Sequence, residues 1–237
     1  MIQSEKRQTV AGSTRHMKVI GIFTFSVLLL WAMIFIPAGR LDYTPGWICL
    51  ATLVIGFSAI TAYVAKRTPS LIRRRMKAGA GTPAWDRLLV MVLQFLFAAI
   101  LIVGGVDAGR YHWTSLPTWL QLAGLILMAA GMLVVSWAMG QNPHFESTVR
   151  IQTDQNHRVI ESGPYRIVRH PGYVGGIVLF IGMALVLDSA WALVPAILSA
   201  VNLVVRTRKE DRFLQKNLSG YREFAQRTRH RLVPGIW

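Results

Sequence analysis

The chain has 237 residues, of which 53% are hydrophobic and only 16% are charged, and its mean hydropathy is positive. This is more apolar sequence than a soluble core of this size needs, so the composition excludes an ordinary soluble domain and indicates a membrane protein. The formal net charge of +15 could instead suggest a nucleic-acid-binding protein, but basic residues separated by long apolar segments are more typical of lipid-facing loops. We therefore expect no nucleic-acid partner.

Six apolar segments follow one another along the chain, and they predict an all-α, polytopic membrane protein with about six transmembrane helices. A helix needs about 20 apolar residues to cross the hydrocarbon. The first four segments meet this requirement, whereas the last two have roughly 16 residues each and predict a tight C-terminal helical hairpin that turns at Asp188 and Ser189. The six segments are 19–37, 45–65, 88–106, 117–139, 172–187 and 190–205.

The basic residues are distributed unevenly between the connections of these segments. All of the 26 lysines and arginines except Arg40 and Arg110 fall on one side of the predicted topology. Because cytoplasmic loops retain Lys and Arg, the sequence predicts a multi-pass integral membrane protein with both termini in the cytoplasm. The two C-terminal polar segments would then lie on the cytoplasmic face.

The chain divides into three parts. Residues 1–17 show no hydrophobic periodicity and predict a flexible cytoplasmic tail, and residues 18–139 form a four-helix membrane region. A basic cluster in that region, with Leu71 and Met76 interspersed, predicts either a short amphipathic helix on an anionic leaflet or a solvated connector. Residues 140–237 hold long polar segments of specific composition, and we expect the functional site there.

The first polar segment ends in GPYRIVRHPGY, residues 163–173. Gly163 and Pro164 favour a turn, and the residue before Pro171 is biased away from helix, so a helix is expected to begin at Pro171 or Gly172. The exposed amides of that helix start could receive an anionic group.

The second polar segment continues the last apolar segment. Arg206 and Glu210 are four residues apart, so they share one helix face just beyond the membrane. Because the two ends of a hairpin are adjacent, this face should lie close to His170 and Tyr173. Three duller interpretations stay open: a surface ion pair for Arg206 and Glu210, a backbone contact for His170, and interfacial anchoring for Tyr173 and Tyr165.

Metal chemistry has little support in the sequence. The six histidines show no HExxH or other ligand spacing, and Cys49 is the only cysteine. We expect no bound metal, and we expect Cys49 to serve in packing within the second apolar segment.

The C-terminal motifs resemble those of a known family. The order GPYRIVRHPGYVGG, apolar hairpin, acidic pair and GYREFAQRTRHRLVPGIW is similar to the catalytic region of the isoprenylcysteine carboxyl methyltransferases, integral membrane enzymes related to the phospholipid methyltransferases. The resemblance covers about residues 141–237. It implies S-adenosylmethionine as cofactor at the cytoplasmic face and a lipophilic acceptor that enters from the bilayer. The family's paired glutamates appear here as Glu210 and Asp211, and the segment before His157 is shorter.

The resemblance also implies roles for individual residues. The catalytic residues would be Arg206, His170 and Glu210, with Arg206 facing the acceptor's carboxylate. A carboxylate acceptor needs no general base, so alignment and exclusion of water would be the main tasks. The cofactor pocket would be lined by Gln152, His157, Arg158, Val159, Ile160, Tyr165, His170, Pro171, Gly172, Tyr173 and Glu210.

The function expected is carboxyl O-methylation of an isoprenylcysteine-like lipid. A phospholipid amine or a thiol is an alternative acceptor, and Arg206 is the feature that favours a carboxylate. Membrane sterol reductases that use NADPH share a similar turn, but they carry an asparagine before the tyrosine, where this chain has Gly172. A transporter would need charges within the spans, and these are nearly absent.

Overall fold

A computed structural model describes residues 2–69, 71, 81–152 and 156–237, with side chains from Val19 onward. Over these ranges the chain contains no β-strand, as the all-α expectation requires. The helices are α1 (Ile2–Ala38), α2 (Thr44–Arg67), α3 (Ala84–Gly104) with a π-helical extension (Gly105–Tyr111), α4 (Thr118–Gln141), a 3₁₀ turn (Gly163–Arg166), α5 (Pro171–Val186), α6 (Leu193–Asn217) and α7 (Tyr221–Arg227).

Four helical segments are long and apolar enough to cross a membrane. They are Val19–Ala38, Thr44–Arg67, Ala84–Tyr111 and Thr118–Gln141, in agreement with the first four predicted segments. The protein is therefore an integral membrane protein. α5 has only 16 residues and α6 becomes charged from Arg206 onward, so the two crossings by this hairpin and the orientation of the termini stay predictions.

The N-terminal part of α1 differs from the expected flexible tail. Its backbone is helical from Ile2, although the sequence before residue 18 lacks an apolar stripe. Gln, Glu, Lys, Arg and Ala have good helix propensity, and a helix already formed by the following span extends more easily than a new one nucleates. The predicted amphipathic helix around Met76 lies outside the described residues.

Glycines allow α4 and α5 to pack in close antiparallel contact. A Cβ added to Gly131 would lie 2.6 Å from the Gly175 carbonyl oxygen, and one added to Gly182 would lie 2.7 Å from the Gly124 carbonyl oxygen. Each helix carries its two glycines seven residues apart, which places both on one face. Small residues let helix backbones approach in membranes, so these four positions fix α5 against α4.

The hairpin turn is held by buried polar groups at one end of the bundle, which we call the turn end. Asp107 has no exposed surface and accepts hydrogen bonds from the Ser189 hydroxyl (2.6 Å), the Thr114 hydroxyl (2.5 Å) and the Thr114 amide (2.9 Å). Asp188 accepts the Leu116 amide. The turn predicted at Asp188 and Ser189 is confirmed, and Cys49 is buried in the core as expected.

The opposite end, which we call the cavity end, joins α3 to α6. The two helices run antiparallel, so the start of α3 meets the part of α6 that extends past the apolar segment. The Trp85 and Phe213 rings are 6.5 Å apart, and Lys209 Nζ lies 5.7 Å from the centre of the Trp85 ring. Further along α3, Val90, Leu93 and Gln94 line the cavity described below, so the N-terminal membrane region supplies part of its wall.

Candidate functional site

One cavity of about 310 Å³ lies at the cavity end. Ligand pockets in proteins usually begin at about this size. All twelve residues predicted from the sequence line it, although they come from three separate stretches of chain. They are Gln152, His157, Arg158, Val159, Ile160, Tyr165, His170, Pro171, Gly172, Tyr173, Arg206 and Glu210.

The predicted convergence of the two polar segments is confirmed. The Tyr173 hydroxyl donates a hydrogen bond to Glu210 Oε2, and the Arg206 guanidinium lies 5.3 Å from the centre of the Tyr173 ring. The His170 ring stacks parallel to the Tyr173 ring, with centroids 5.6 Å apart. Tyr173 therefore contacts the three residues that the family resemblance implies for catalysis.

α5 begins at Pro171, one of the two predicted starts, and His170 is its N-cap. The Tyr173 and Val174 amides donate to the His170 carbonyl, and Pro171 has no amide hydrogen. Of the backbone amides at the start of α5 that were expected to receive an anionic group, the Gly172 amide is therefore the one still available. A Cβ on Gly172 would lie 2.5 Å from the Phe145 ring, so this glycine is needed for close packing.

Arg206 is buried and already has a partner that the sequence did not predict. Its Nε and Nη2 donate to the two carboxylate oxygens of Asp86 at 2.8 and 3.3 Å, and Nη2 also donates to the Ser147 carbonyl at 2.8 Å. Asp86 has no exposed surface. The surface ion pair considered for Arg206 and Glu210 is therefore wrong: no ion pair joins them, because Arg206 turns toward α3.

Asp211 points away from Glu210 and into a buried charged cluster. Its carboxylate lies 2.9 Å from Arg169 Nε, 3.0 Å from Arg231 Nε and 3.7 Å from His170 Nε2, and it accepts the Tyr221 hydroxyl at 3.1 Å. Burial alone would raise the pKa of Asp211, but the contacts with His170, Arg231 and Arg169 hold it well below its usual range. The acidic pair thus divides into one residue at the cavity and one in the protein interior.

The C-terminal segment closes against the turn that carries His170. The Arg169 amide donates to the His230 carbonyl at 2.9 Å, and the His170 amide donates to the Arg231 carbonyl at 3.0 Å. Together with the Asp211 contacts, these bonds fix the backbone on both sides of His170. The His170 ring does not support the simple interpretation, a bond to a backbone carbonyl of the turn: its Nε2 lies 3.4 Å from the Tyr221 hydroxyl and 3.7 Å from Asp211, and the ring stacks on Tyr173.

Gln152 and His157 form a second polar wall. The Gln152 amide nitrogen Nε2 donates to the His144 carbonyl at 2.9 Å, and its Oε1 lies 3.1 Å from His144 Nδ1. His157 Nδ1 accepts the Gln152 backbone amide, so the neutral ring carries its proton on Nε2. Burial, followed by the charge of His144, lowers the pKa of His157 to about 4, and the ring is neutral at pH 7.

Tyr165 is buried rather than anchored at a membrane boundary. It packs in a small apolar cluster with Ala138, Tyr221 and Phe224, and its hydroxyl accepts the Asn142 side-chain amide at 3.1 Å. Burial raises the pKa of Tyr165 well above its ordinary value, so the hydroxyl stays protonated. The anchoring interpretation is wrong for this residue.

Several cavity residues were not found from the sequence. Three of them, Val90, Leu93 and Gln94, lie on α3 within a candidate membrane span. Val90 and Leu93 are indistinguishable from other apolar residues of a span, and only the polar Gln94 stands out in the sequence. Asp86 did carry a signal, because it is the only acidic residue between Asp42 and Asp107 and follows a strongly basic loop. The additional lining residues are Val90, Leu93, Gln94, Asn142, His144, Phe145, Glu146, Ser147, Thr148, Val149, Arg150, Arg169, Leu214, Leu218, Tyr221 and Phe224.

Within the described part of the chain, no group of three or more His, Cys, Asp or Glu side chains is arranged to hold a metal ion. Glu146, one of the acidic cavity residues, is paired with Arg150, whose Nε and Nη2 lie 2.7 and 2.9 Å from its two oxygens. The polar groups of the cavity are thus mostly organised as hydrogen-bonding pairs.

Part of the chain is similar to known proteins. Residues 119–220 match the family model described as phospholipid methyltransferase, so the match begins in α4, earlier than the motifs alone indicated, and ends before α7. The matched region is thus similar to the phospholipid methyltransferases, and it includes the C-terminal hairpin.

Individual relatives narrow the resemblance. The chain is 27% identical to protein-S-isoprenylcysteine O-methyltransferase A of Arabidopsis thaliana over 101 residues, which are 42% of this chain and 47% of the relative. The resemblance to the isoprenylcysteine methyltransferases is thereby confirmed. The chain is also 31% identical to the cobalt-zinc-cadmium resistance protein CzcN of Cupriavidus metallidurans over 140 residues, which are 58% of each chain.

A third relative covers more of the sequence. The uncharacterized protein YpbQ of Bacillus subtilis is 26% identical over 172 residues, which are 72% of this chain and 96% of the relative. In contrast, the aligned part spans about half of the length of the Arabidopsis and Cupriavidus proteins. The family match at residues 119–220 includes the hairpin and several of the residues that line the cavity.

Proposed function

We propose that the protein is an S-adenosylmethionine-dependent methyltransferase that methylates a lipophilic acceptor at the cytoplasmic face of the membrane, and that the acceptor is the carboxylate of an isoprenylcysteine-like lipid. The observation that carries the proposal is the meeting of Arg206, Glu210 and Tyr173 at one cavity that is also lined by residues of α3 within its candidate membrane span. A water-soluble donor and a lipid-dissolved acceptor would need such a boundary position.

The residues at the cavity fit the proposed cofactor. S-adenosylmethionine would supply a methyl group activated by its sulfonium. Glu210 has no ion-pair partner within the described ranges, so its carboxylate could accept hydrogen bonds from ribose hydroxyls or an amino group. The faces of Tyr165 and Tyr173 could border an adenine ring or attract a positive sulfur, an effect worth roughly 0.5 to 2 kcal/mol if cation–π values apply.

Arg206 would orient the acceptor. A guanidinium binds a carboxylate with directed hydrogen bonds, and holding the reacting oxygen in place contributes more to rate than an exposed ion pair contributes to stability. The apolar α3 residues Val90 and Leu93 would contact the hydrocarbon part of the acceptor and exclude water. The stacked rings of His170 and Tyr173, which lie beside Arg206, would help to keep the two substrates aligned.

One observation favours a second candidate, methylation of an amine or a thiol. Asp86 already neutralises Arg206 and takes two of its three donor nitrogens, whereas Glu210 carries an unneutralised charge next to it. A site with this charge balance suits a neutral or cationic acceptor as well as an anionic one.

The decisive experiment is methyl transfer from labelled S-adenosylmethionine into a total lipid and small-thiol extract, with the labelled product identified by mass. We expect a base-labile methyl ester for the carboxylate proposal, and an N-methyl or S-methyl product for the second candidate. Titration calorimetry with S-adenosylmethionine and with NADPH tests the reductase alternative. Binding of NADPH alone would contradict the methyltransferase proposal.

The Arg206→Ala variant distinguishes the acceptors. If the acceptor is a carboxylate, turnover should fall by about 100-fold while the affinity for S-adenosylmethionine stays within a fewfold of the unchanged protein. Arg208, exposed on the same helix, provides the control variant Arg208→Ala. Equal activity of the Arg206 and Arg208 variants would contradict a carboxylate acceptor.

A further inference from the structure

The first turn of α3 places a fully buried carboxylate beside the cavity. Asp86 accepts Arg206 Nε at 2.8 Å, Arg206 Nη2 at 3.3 Å and the Val149 amide at 2.7 Å. The pair joins positions 120 residues apart, one in the N-terminal membrane region and one in the C-terminal region. Asp86 is therefore connected both to the predicted acceptor-binding arginine and to a loop that lines the cavity.

This arrangement fixes the orientation of the Arg206 fork. Two of the three guanidinium nitrogens donate to Asp86 or to the Ser147 carbonyl, and no hydrogen bond from Nη1 to another described residue is present. The guanidinium also faces the Tyr173 ring at 5.3 Å. Because the side-chain torsions of a free arginine are mobile, an anchor on the Nε edge is needed to keep the remaining nitrogen directed to one place.

We propose that Asp86 is a positioning residue for the methyl acceptor: it holds Arg206 so that only the Nη1 end of the fork is free to bind the acceptor, and it ties the 147–149 loop to the same point. This inference rests on the proposed function. It assigns to α3, and so to the N-terminal membrane region, a part in acceptor recognition.

The energetics of the pair argue for a role beyond stability. Removing two charges from water costs several kcal/mol per ion, and buried ion pairs are often no more stabilising than apolar residues of similar volume. A second tie, from the Thr82 hydroxyl to the Thr148 hydroxyl at 3.0 Å, already holds the loop near the start of α3. The ion pair is thus best explained by the orientation it imposes on Arg206.

The experiment compares Asp86→Asn with Asp107→Asn in methyl transfer from labelled S-adenosylmethionine to a farnesylated cysteine that has a free carboxylate. Neither aspartate has exposed surface, but Asp107 lies at the turn end, and its hydrogen-bond partners among the described residues, Thr114, Ser189 and Trp191, do not line the cavity. We expect Asp86→Asn to raise the acceptor KM by about tenfold with little change in cofactor affinity. Asp107→Asn should lower thermal stability and leave both constants unchanged.

A double-mutant cycle tests whether Asp86 acts through Arg206. Residues that act as a unit are not additive, so Asp86→Asn combined with Arg206→Gln should have a kcat/KM within about threefold of Arg206→Gln alone. The double variant has no unpaired buried charge, so it is expected to fold even if Asp86→Asn does not. A further loss in the double variant beyond that range overturns the proposal.

The remaining outcomes separate this inference from the proposed function. An unchanged protein that transfers no label to any acceptor contradicts the methyltransferase proposal itself. If the wild-type protein is active, and Asp86→Asn has the same acceptor KM as Asp107→Asn, only the positioning role of Asp86 is contradicted.

Discussion

The turn end and the cavity end of the bundle both bury an aspartate completely, but they satisfy it in different ways. At the turn end, Asp107 accepts hydrogen bonds from neutral donors, namely the Thr114 and Ser189 hydroxyls and backbone amides. At the cavity end, Asp86 and Asp211 are each paired with arginines. Hydrogen bonds from neutral donors stabilise a buried carboxylate and hold the backbone around it. An ion pair also fixes the orientation of a cationic side chain, and that side chain can then bind a ligand.

The comparison also shows what each end holds in place. The Asp107 contacts close the connection between α5 and α6, and none of their members lines the cavity. The Asp86 and Asp211 contacts fix Arg206 and the backbone around His170, both of which line it. Buried charge in this protein is therefore concentrated where a ligand is expected.

The largest expected effect is on stability at the cavity end. Asp211→Asn leaves Arg169 and Arg231 without their shared carboxylate, and we expect the free energy of unfolding to fall by about 3 to 5 kcal/mol. Asp107→Asn removes hydrogen bonds to neutral donors and should cost only about 1 to 3 kcal/mol. Thermal unfolding of both variants in detergent measures the difference, and equal losses would contradict the distinction between the two ends.

The next effect is on activity. Glu210→Gln removes the charge that the proposed cofactor contacts and weakens the Tyr173 hydrogen bond, so kcat/KM should fall by about 100-fold, which corresponds to about 2.7 kcal/mol. Glu223→Gln, exposed on α7, is the matched control and should be indistinguishable from the unchanged protein. Full activity of Glu210→Gln in labelled methyl transfer would show that the cavity binds its ligands without this carboxylate.

A smaller effect is expected midway between the ends, where α4 and α5 touch. In Gly131→Ala the new methyl would meet the Gly175 carbonyl oxygen at 2.6 Å, and backbone cannot move as a side chain can. We expect a loss of about 1 to 3 kcal/mol in the free energy of unfolding. Gly21→Ala, which has no atom within 4 Å of the added Cβ, is the control. If both variants unfold alike, the glycine contact does not hold the helices together.

The last effect is a gradual one, a pH dependence of stability that belongs to the cavity end. The pKa of His157 is lowered from 6.5 to about 4 in the folded protein, so the unfolded chain binds more protons between these values. Stability should therefore decrease as the pH falls from about 6.5 toward 4, because charging the ring favours the unfolded state. His157→Gln should flatten this part of the profile, while His112→Gln at the turn end should keep the slope. A slope retained in His157→Gln would assign it to another group.

Much of the fold could be predicted because its signals are local. The length of an apolar run determines whether a helix can span the hydrocarbon, and a proline after a turn determines where α5 begins. The hairpin followed from two short runs joined at Asp188. Given the hairpin, the four-residue spacing of Arg206 and Glu210 was enough to bring them near His170 and Tyr173.

The unpredicted features depend on contacts between segments far apart in sequence. Glu210 and Asp211 are neighbours, yet about 100 degrees of helix rotation send one to the cavity and the other into the Arg169 and Arg231 cluster. The face of α6 that carries Arg206 packs against α3, where Asp86 lies.

The sequence by itself determined that this is a helical membrane protein with a C-terminal hairpin, because the length of an apolar run and the chemistry of a turn are properties of consecutive residues. The twelve residues that line the cavity were instead implied by the resemblance of the C-terminal motifs to a known family. Only the tertiary structure decided that Asp86 is the partner of Arg206, and that α4 and α5 meet at glycines. A buried charge must find an opposite charge wherever the packed helices place one, and no local pattern specifies that partner.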